Sequence, residues 1–124
     1  MPTVSHADAL RIDPQPFDEF IAAIERLYPQ THAVLERDII DGHSLLFRWA
    51  GVSATDPLVL MAHIDVVPVV EAEWEHPPFA ATSGGGGRDA ALYARGAIDD
   101  KGSLVAILEA VEALADAGYT PAQD

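Results

Sequence analysis

Five consecutive apolar residues, Leu58-Val59-Leu60-Met61-Ala62, constrain this chain more than any other stretch. A strand with one wet face alternates polar and apolar residues. A run that never alternates reads instead as a strand covered on both faces, as happens when helices pack on either side of a sheet. The run therefore predicts an α/β fold.

The rest of the chain supplies suitable partners. Phe17, Phe20, Ile21, Ile24 and Leu27 recur at helical spacing, predicting an amphipathic helix over 16–28 that opens near Asp13 or Gln15 and ends at Pro29. A second helix is predicted over 103–117. Leu104, Ile107, Leu108, Val111 and Leu114 share one of its faces, Glu109, Glu112 and Asp116 lie opposite, and Gly118 caps it. Between them, extended runs at 33–40 and 44–49 flank Asp41-Gly42, a pair that accepts the positive φ angles of a tight hairpin turn. Gly84 to Gly87 reads as a turn joining 79–82 to a short strand at 91–94. No Gly-Lys-Ser/Thr follows it, so it is not a phosphate loop. No repeat or second domain is visible, and the expected fold is an α/β sandwich with a mixed central sheet.

Composition removes several function classes. Twenty acidic residues against seven basic ones give a net charge of −13. A surface this acidic repels phosphate backbones and anionic lipid, so neither nucleic acid nor membrane is an expected partner. No apolar run approaches the roughly 20 residues needed to cross a bilayer. The opening Met1-Pro2-Thr3-Val4-Ser5 lacks the basic-then-apolar pattern of a signal peptide, which favours a cytoplasmic location. Cysteine is absent, leaving His, Asp and Glu as the strong metal donors.

Two strings place such donors where function is expected. His63-x-Asp65 directly follows the apolar run, and ligands of open α/β sheets sit outside the carboxyl ends of strands. A neutral imidazole is a good zinc ligand, and a nearby carboxylate can take its other ring N–H and fix the tautomer. By itself the string is better explained as a strand-end histidine that merely hydrogen-bonds a loop. The other histidines, His6, His32, His43 and His76, read as surface residues. The second string, Arg95-Gly96-Ala97-Ile98-Asp99-Asp100-Lys101-Gly102, precedes the last helix. Paired acids there have an ordinary explanation, capping free N–H groups and complementing the helix dipole. The functional alternative is that Asp99 bridges two cations, the helix-end field keeping it ionised.

Taken in order, Pro2-Thr3-Val4-Ser5, Leu60-Met61-Ala62-His63-Ile64-Asp65-Val66-Val67-Pro68, Trp74…Pro78-Phe79 and Arg95 to Gly102 resemble the co-catalytic zinc metallopeptidase family of glutamate carboxypeptidase, aminoacylase and succinyl-diaminopimelate desuccinylase. Ser44 to Trp49, Val66-Val67-Pro68 and Gly118-Tyr119-Thr120-Pro121 look most like its branch of Gly-X carboxypeptidase (carboxypeptidase S) and N-acyl-amino-acid hydrolases. The resemblance implies a partial α/β/α catalytic domain without its lid (dimerisation) domain. It also implies two zinc ions and a small peptide or N-acyl-amino-acid substrate. Carried over by motif, His63 resembles a zinc ligand, Asp65 the catalytic carboxylate that orients it, and Asp99 the aspartate bridging both metals. Asp100 is not an expected ligand, and Arg95 and Lys101 look loop-shaping.

The same resemblance implies that residues 1–124 are an N-terminal portion of that domain, incomplete at the C-terminus and also at the N-terminus. The general-base glutamate and the remaining ligands would then lie beyond Asp124, and the chain alone is expected to be inactive. The competing expectation is a non-catalytic α/β fragment or degraded gene product, with self-association through apolar surface as a further possibility.

Overall fold

The computed structural model describes every residue from Met1 to Asp124. The chain forms two compact units, one of Met1–Phe17 with Ala62–Leu104 and the other of Asp18–Met61 with Val105–Asp124. Its elements are α1 (Gln15–Leu27), α2 (Pro29–Val34), β1 (Glu36–Ile40), β2 (Ser44–Arg48), β3 (Thr82–Gly84), β4 (Ala91–Tyr93) and α3 (Lys101–Asp116).

Helix α1 follows its pattern: Phe17, Ile21 and Ile24 are buried, while Leu27, counted on the same face, is exposed. Pro29 does stop α1 but does not start an extended run. It sits in the first turn of α2, where its missing N–H costs nothing and its fixed φ suits a helix. Residues 33 and 34 are therefore helical, and β1 begins only at Glu36. The sequence could not reveal the stabilising partner. The Glu112 carboxylate accepts the N–H groups of Gln30 (2.9 Å) and Thr31 (2.7 Å), capping α2 from α3, and the Thr31 hydroxyl donates to it as well (2.8 Å). Tyr28 adds a hydrogen bond from its hydroxyl to Glu109.

The hairpin forms as expected. β1 and β2 pair antiparallel from Glu36↔Arg48 to Ile40↔Ser44, and the turn holds Asp41 and Gly42 at φ +50° and +91°. β3 and β4 pair antiparallel across the glycine tract, with Gly85 and Gly87 at positive φ. α3 buries Leu108 and Ala115. It ends where Gly118, at φ +69°, lets the Tyr119 N–H turn back to the Leu114 carbonyl.

The α/β class holds, but strand pairing occurs in pieces: two two-stranded antiparallel sheets and two isolated parallel bridges, Val4 with Val66 and Ser53 with Gln123. The run expected to be a buried strand, Leu58 to Ala62, forms no strand. Leu58, Val59, Leu60 and Met61 are all more than half exposed. The physical reason is a lack of partners. A strand needs a neighbour for its N–H and C=O groups, and here only the Leu58 N–H finds one, on the Asp124 carbonyl. His32 also departs from its surface assignment. It is half-buried, donates Nδ1–H to the Tyr28 carbonyl at 2.8 Å and stands edge-on to Phe47. No helix is long and apolar enough to cross a membrane.

Candidate metal site

The first compact unit brings the three expected site residues together. His63 and Asp65 lie on the segment after the apolar run, and Asp99 lies on the loop that leads into α3. The loop can approach because Gly96 is at φ +83° and buried. A Cβ there would come within 2.5 Å of the Val66 side chain. At the loop's end the Asp99–Asp100 peptide is cis.

His63 is the hub. Its Nδ1 lies 3.0 Å from the Asp65 carbonyl oxygen and 3.1 Å from Asp65 Oδ1, and both neighbours are acceptors. Nδ1 therefore carries the proton. Nε2 then points the other way, 2.9 Å from Asp99 Oδ1. The hydrogen bond to Asp99 raises the imidazole pKa above its ordinary value. Partial loss of hydration opposes that rise and Asp65 adds to it.

Asp65 is held below the usual carboxylate range, first by the Ser5 hydroxyl, which donates to Oδ2 at 2.5 Å, and then against burial by His63. Asp100 behaves differently from Asp99. It accepts the His63 backbone N–H at 3.3 Å and a hydrogen bond from Ser103, the larger cause of its lowered pKa. Lys101, expected to shape the loop, does so by donating from Nζ to the Ile64 carbonyl (2.8 Å) and the Thr3 hydroxyl (2.7 Å). Burial pushes its pKa down, with Asp65 working against the shift. Arg95 stacks its guanidinium 5.0 Å from the Trp74 ring centroid. With Tyr93, Ile98 and Asp99 these residues line a hollow of about 270 Å³.

The donor set suits a cation such as zinc: one imidazole nitrogen with its far side fixed by a carboxylate, facing a carboxylate oxygen. Two ligand atoms on a tetrahedral zinc with bonds of ~2.0–2.1 Å stand about 3.3 Å apart. The observed 2.9 Å is a few tenths tighter than that. The set is incomplete, because no three His, Asp or Glu side chains converge on one cation-sized gap. Sequence reasoning missed Thr3 and Ser5 as contributors. Their only signal was membership of a recognisable string, and nothing in a Thr-x-Ser pattern says which segment it will lie beside.

Residues 59–124 match the model of peptidase family M20/M25/M40, a span that contains His63, Asp65 and Asp99. The chain belongs to this family. Among M20 relatives it is 39% identical over 120 residues to a probable carboxypeptidase S-like protein of Dictyostelium discoideum, covering 95% of this chain and 24% of that one. It is 41% identical over 131 residues to an uncharacterized carboxypeptidase of Schizosaccharomyces pombe, covering 99% and 21%. Against the human N-fatty-acyl-amino acid synthase/hydrolase PM20D1 it is 37% identical over 106 residues, covering 83% and 20%. These names agree with the carboxypeptidase S and N-acyl-amino-acid hydrolase branch. The chain spans a quarter or less of the length of these M20 relatives.

Proposed function

We propose that residues 1–124 supply one wall of the metal centre of an M20 hydrolase that cleaves peptide or N-acyl-amino-acid amide bonds. The observation that carries this reading is the 2.9 Å approach of His63 Nε2 to Asp99 Oδ1 with the opposite ring nitrogen already committed to Asp65. His63 would be a ligand of one zinc, Asp99 the carboxylate shared by two, and Asp65 the group that fixes the imidazole tautomer. Two zinc ions bound there would supply Lewis acidity to the scissile carbonyl and to the attacking water.

The chain's own contribution is geometric and electrostatic. Asp65 holds the Nδ1 proton, so that the Nε2 lone pair is the one offered to a cation. Asp99, with its side chain 89% exposed, leaves its second oxygen open to solvent and to a second ion. The exposed faces of both groups leave room for substrate beside them. Since no third donor converges, the 124 residues alone are proposed to be catalytically silent and to hold metal weakly.

The test uses a full-length enzyme carrying this segment. His63→Ala is expected to lower zinc-dependent amide hydrolysis by orders of magnitude and to remove at least one zinc per chain by metal analysis. Undiminished hydrolysis in that variant would sink the reading. For the 124-residue chain, tight retention of two zinc ions through dialysis would refute its proposed silence.

A further inference from the structure

Each oxygen of Asp65 has a separate partner: Oδ1 meets His63 Nδ1 at 3.1 Å, and Oδ2 takes the Ser5 hydroxyl at 2.5 Å. A carboxylate anchored through one oxygen still turns about its terminal torsion, which is broad for sp³–sp² bonds. The second anchor fixes its plane. We infer that Ser5 is a positioning residue whose hydroxyl locks the Asp65 carboxylate and, through it, holds the His63 ring with Nε2 turned to Asp99.

The backbone puts Ser5 there independently of its side chain. Val4 forms a parallel bridge with Val66, the Val66 N–H donates to the Thr3 carbonyl (2.9 Å), and the Ser5 N–H donates to the Val66 carbonyl (3.0 Å). The fully buried Thr3 hydroxyl donates to the Ile64 carbonyl (2.6 Å), and Lys101 Nζ reaches both of these groups. Residues 3–5 thus form a strap along Ile64-Asp65-Val66. Lys101, two positions after Asp99, ties that strap to the second loop of the site. Ser5 lies outside the residues that match the family model. Because the strap is secured by main-chain bonds and by Thr3, removing the Ser5 hydroxyl should leave it in place and release only the carboxylate.

The inference rests on the metal-site reading for its functional meaning, but its test does not. In the 124-residue chain without metal, at one fixed pH, χ1 couplings and ring-carbon order parameters of His63 would be measured by NMR. Wild type and Ser5→Thr are expected to show one rotamer and a restricted ring. Ser5→Ala is expected to show rotamer averaging, with backbone amide shifts beyond the site unchanged. In the full-length enzyme, zinc affinity should fall by up to about 10-fold in Ser5→Ala, the low end for groups that orient a ligand, and recover in Ser5→Thr. An equally ordered His63 in Ser5→Ala would overturn the inference, as would a Ser5→Thr chain as disordered as Ser5→Ala. If His63 order follows the hydroxyl but no variant or wild type takes up zinc, the metal reading fails and the positioning role stands.

Discussion

Two places in this chain gather carboxylates, and they are built in opposite ways. Around Glu112, donors outnumber acceptors: the N–H groups of Gln30 and Thr31 and the Thr31 hydroxyl all converge on one carboxylate, with Thr31 wholly buried. Around His63, acceptors outnumber donors: the carboxylates of Asp65, Asp99 and Asp100 face one imidazole and its backbone N–H, with the Ser5 and Ser103 hydroxyls as the further donors. The first arrangement satisfies buried polar groups and locks a helix end. The second leaves negative charge without enough protons, which suits a cation. The same residue type thus serves structure or function according to the local balance of donors and acceptors.

That contrast can be broken most directly by deleting one carboxylate from each place. Glu112→Ala orphans the buried Thr31 donors and is expected to cost about 1–3 kcal/mol of stability, read from urea or thermal unfolding. Asp99→Asn in the metal-free chain should change stability by less than about 0.5 kcal/mol, because the Asp99 side chain is 89% exposed. Equal costs at the two positions would show that the supposed cation site is an ordinary structural network.

Asp65→Ala separates orientation from ligation. In the full-length enzyme it should weaken zinc affinity or activity about 10–100-fold, short of the loss expected for His63→Ala. If Asp65→Ala were as damaging as His63→Ala, Asp65 would itself have to be a ligand.

Acid sharpens the Glu112 side of the contrast. Burial works against the charged form of Glu112, yet the hydrogen bonds from Gln30 and Thr31 hold its pKa below the ordinary 4.5. A folded pKa below the unfolded one means that the contribution is full above 4.5 and is lost as pH falls through the lower folded value. Thermal unfolding followed from neutral pH down to about pH 3 should therefore show an acid limb that flattens in Glu112→Gln. The smallest effect is expected at the surface pair of Arg37 with Glu25 (3.2 Å). There Arg37→Ala should cost no more than about 1 kcal/mol, with any effect fading in added salt.

Much of the local structure was legible from the chain alone. Helical spacing gave α1 and α3, Asp41-Gly42 gave the hairpin, and the glycine tract gave the β3–β4 turn, because each depends on neighbours within a few residues. The paired aspartates and His63-x-Asp65 each have an ordinary structural explanation alone, and stood out through their place in a series of strings that resemble one family. Where the reading failed, the missing information was distant. Residues 33 and 34 read as extended because Glu112, which caps α2 from 82 positions beyond Gln30, cannot be seen locally. Leu58 to Ala62 read as a buried strand because hydrophobicity reports what a segment seeks to bury, not whether a partner is present.

By itself the sequence determined α1, α3, the two hairpin turns, the acidic character and the metal donors on offer, since these follow from residue chemistry and short-range periodicity, and it carried the strings that resemble the family. Tertiary structure decided that His63 Nε2 faces Asp99 while Nδ1 faces Asp65, and that Ser5 and Lys101 hold the frame around them. The reason is directional. A hydrogen bond is made or lost over a few tenths of an ångström and a modest rotation, and only the folded backbone brings residues 5, 65 and 99 within that tolerance.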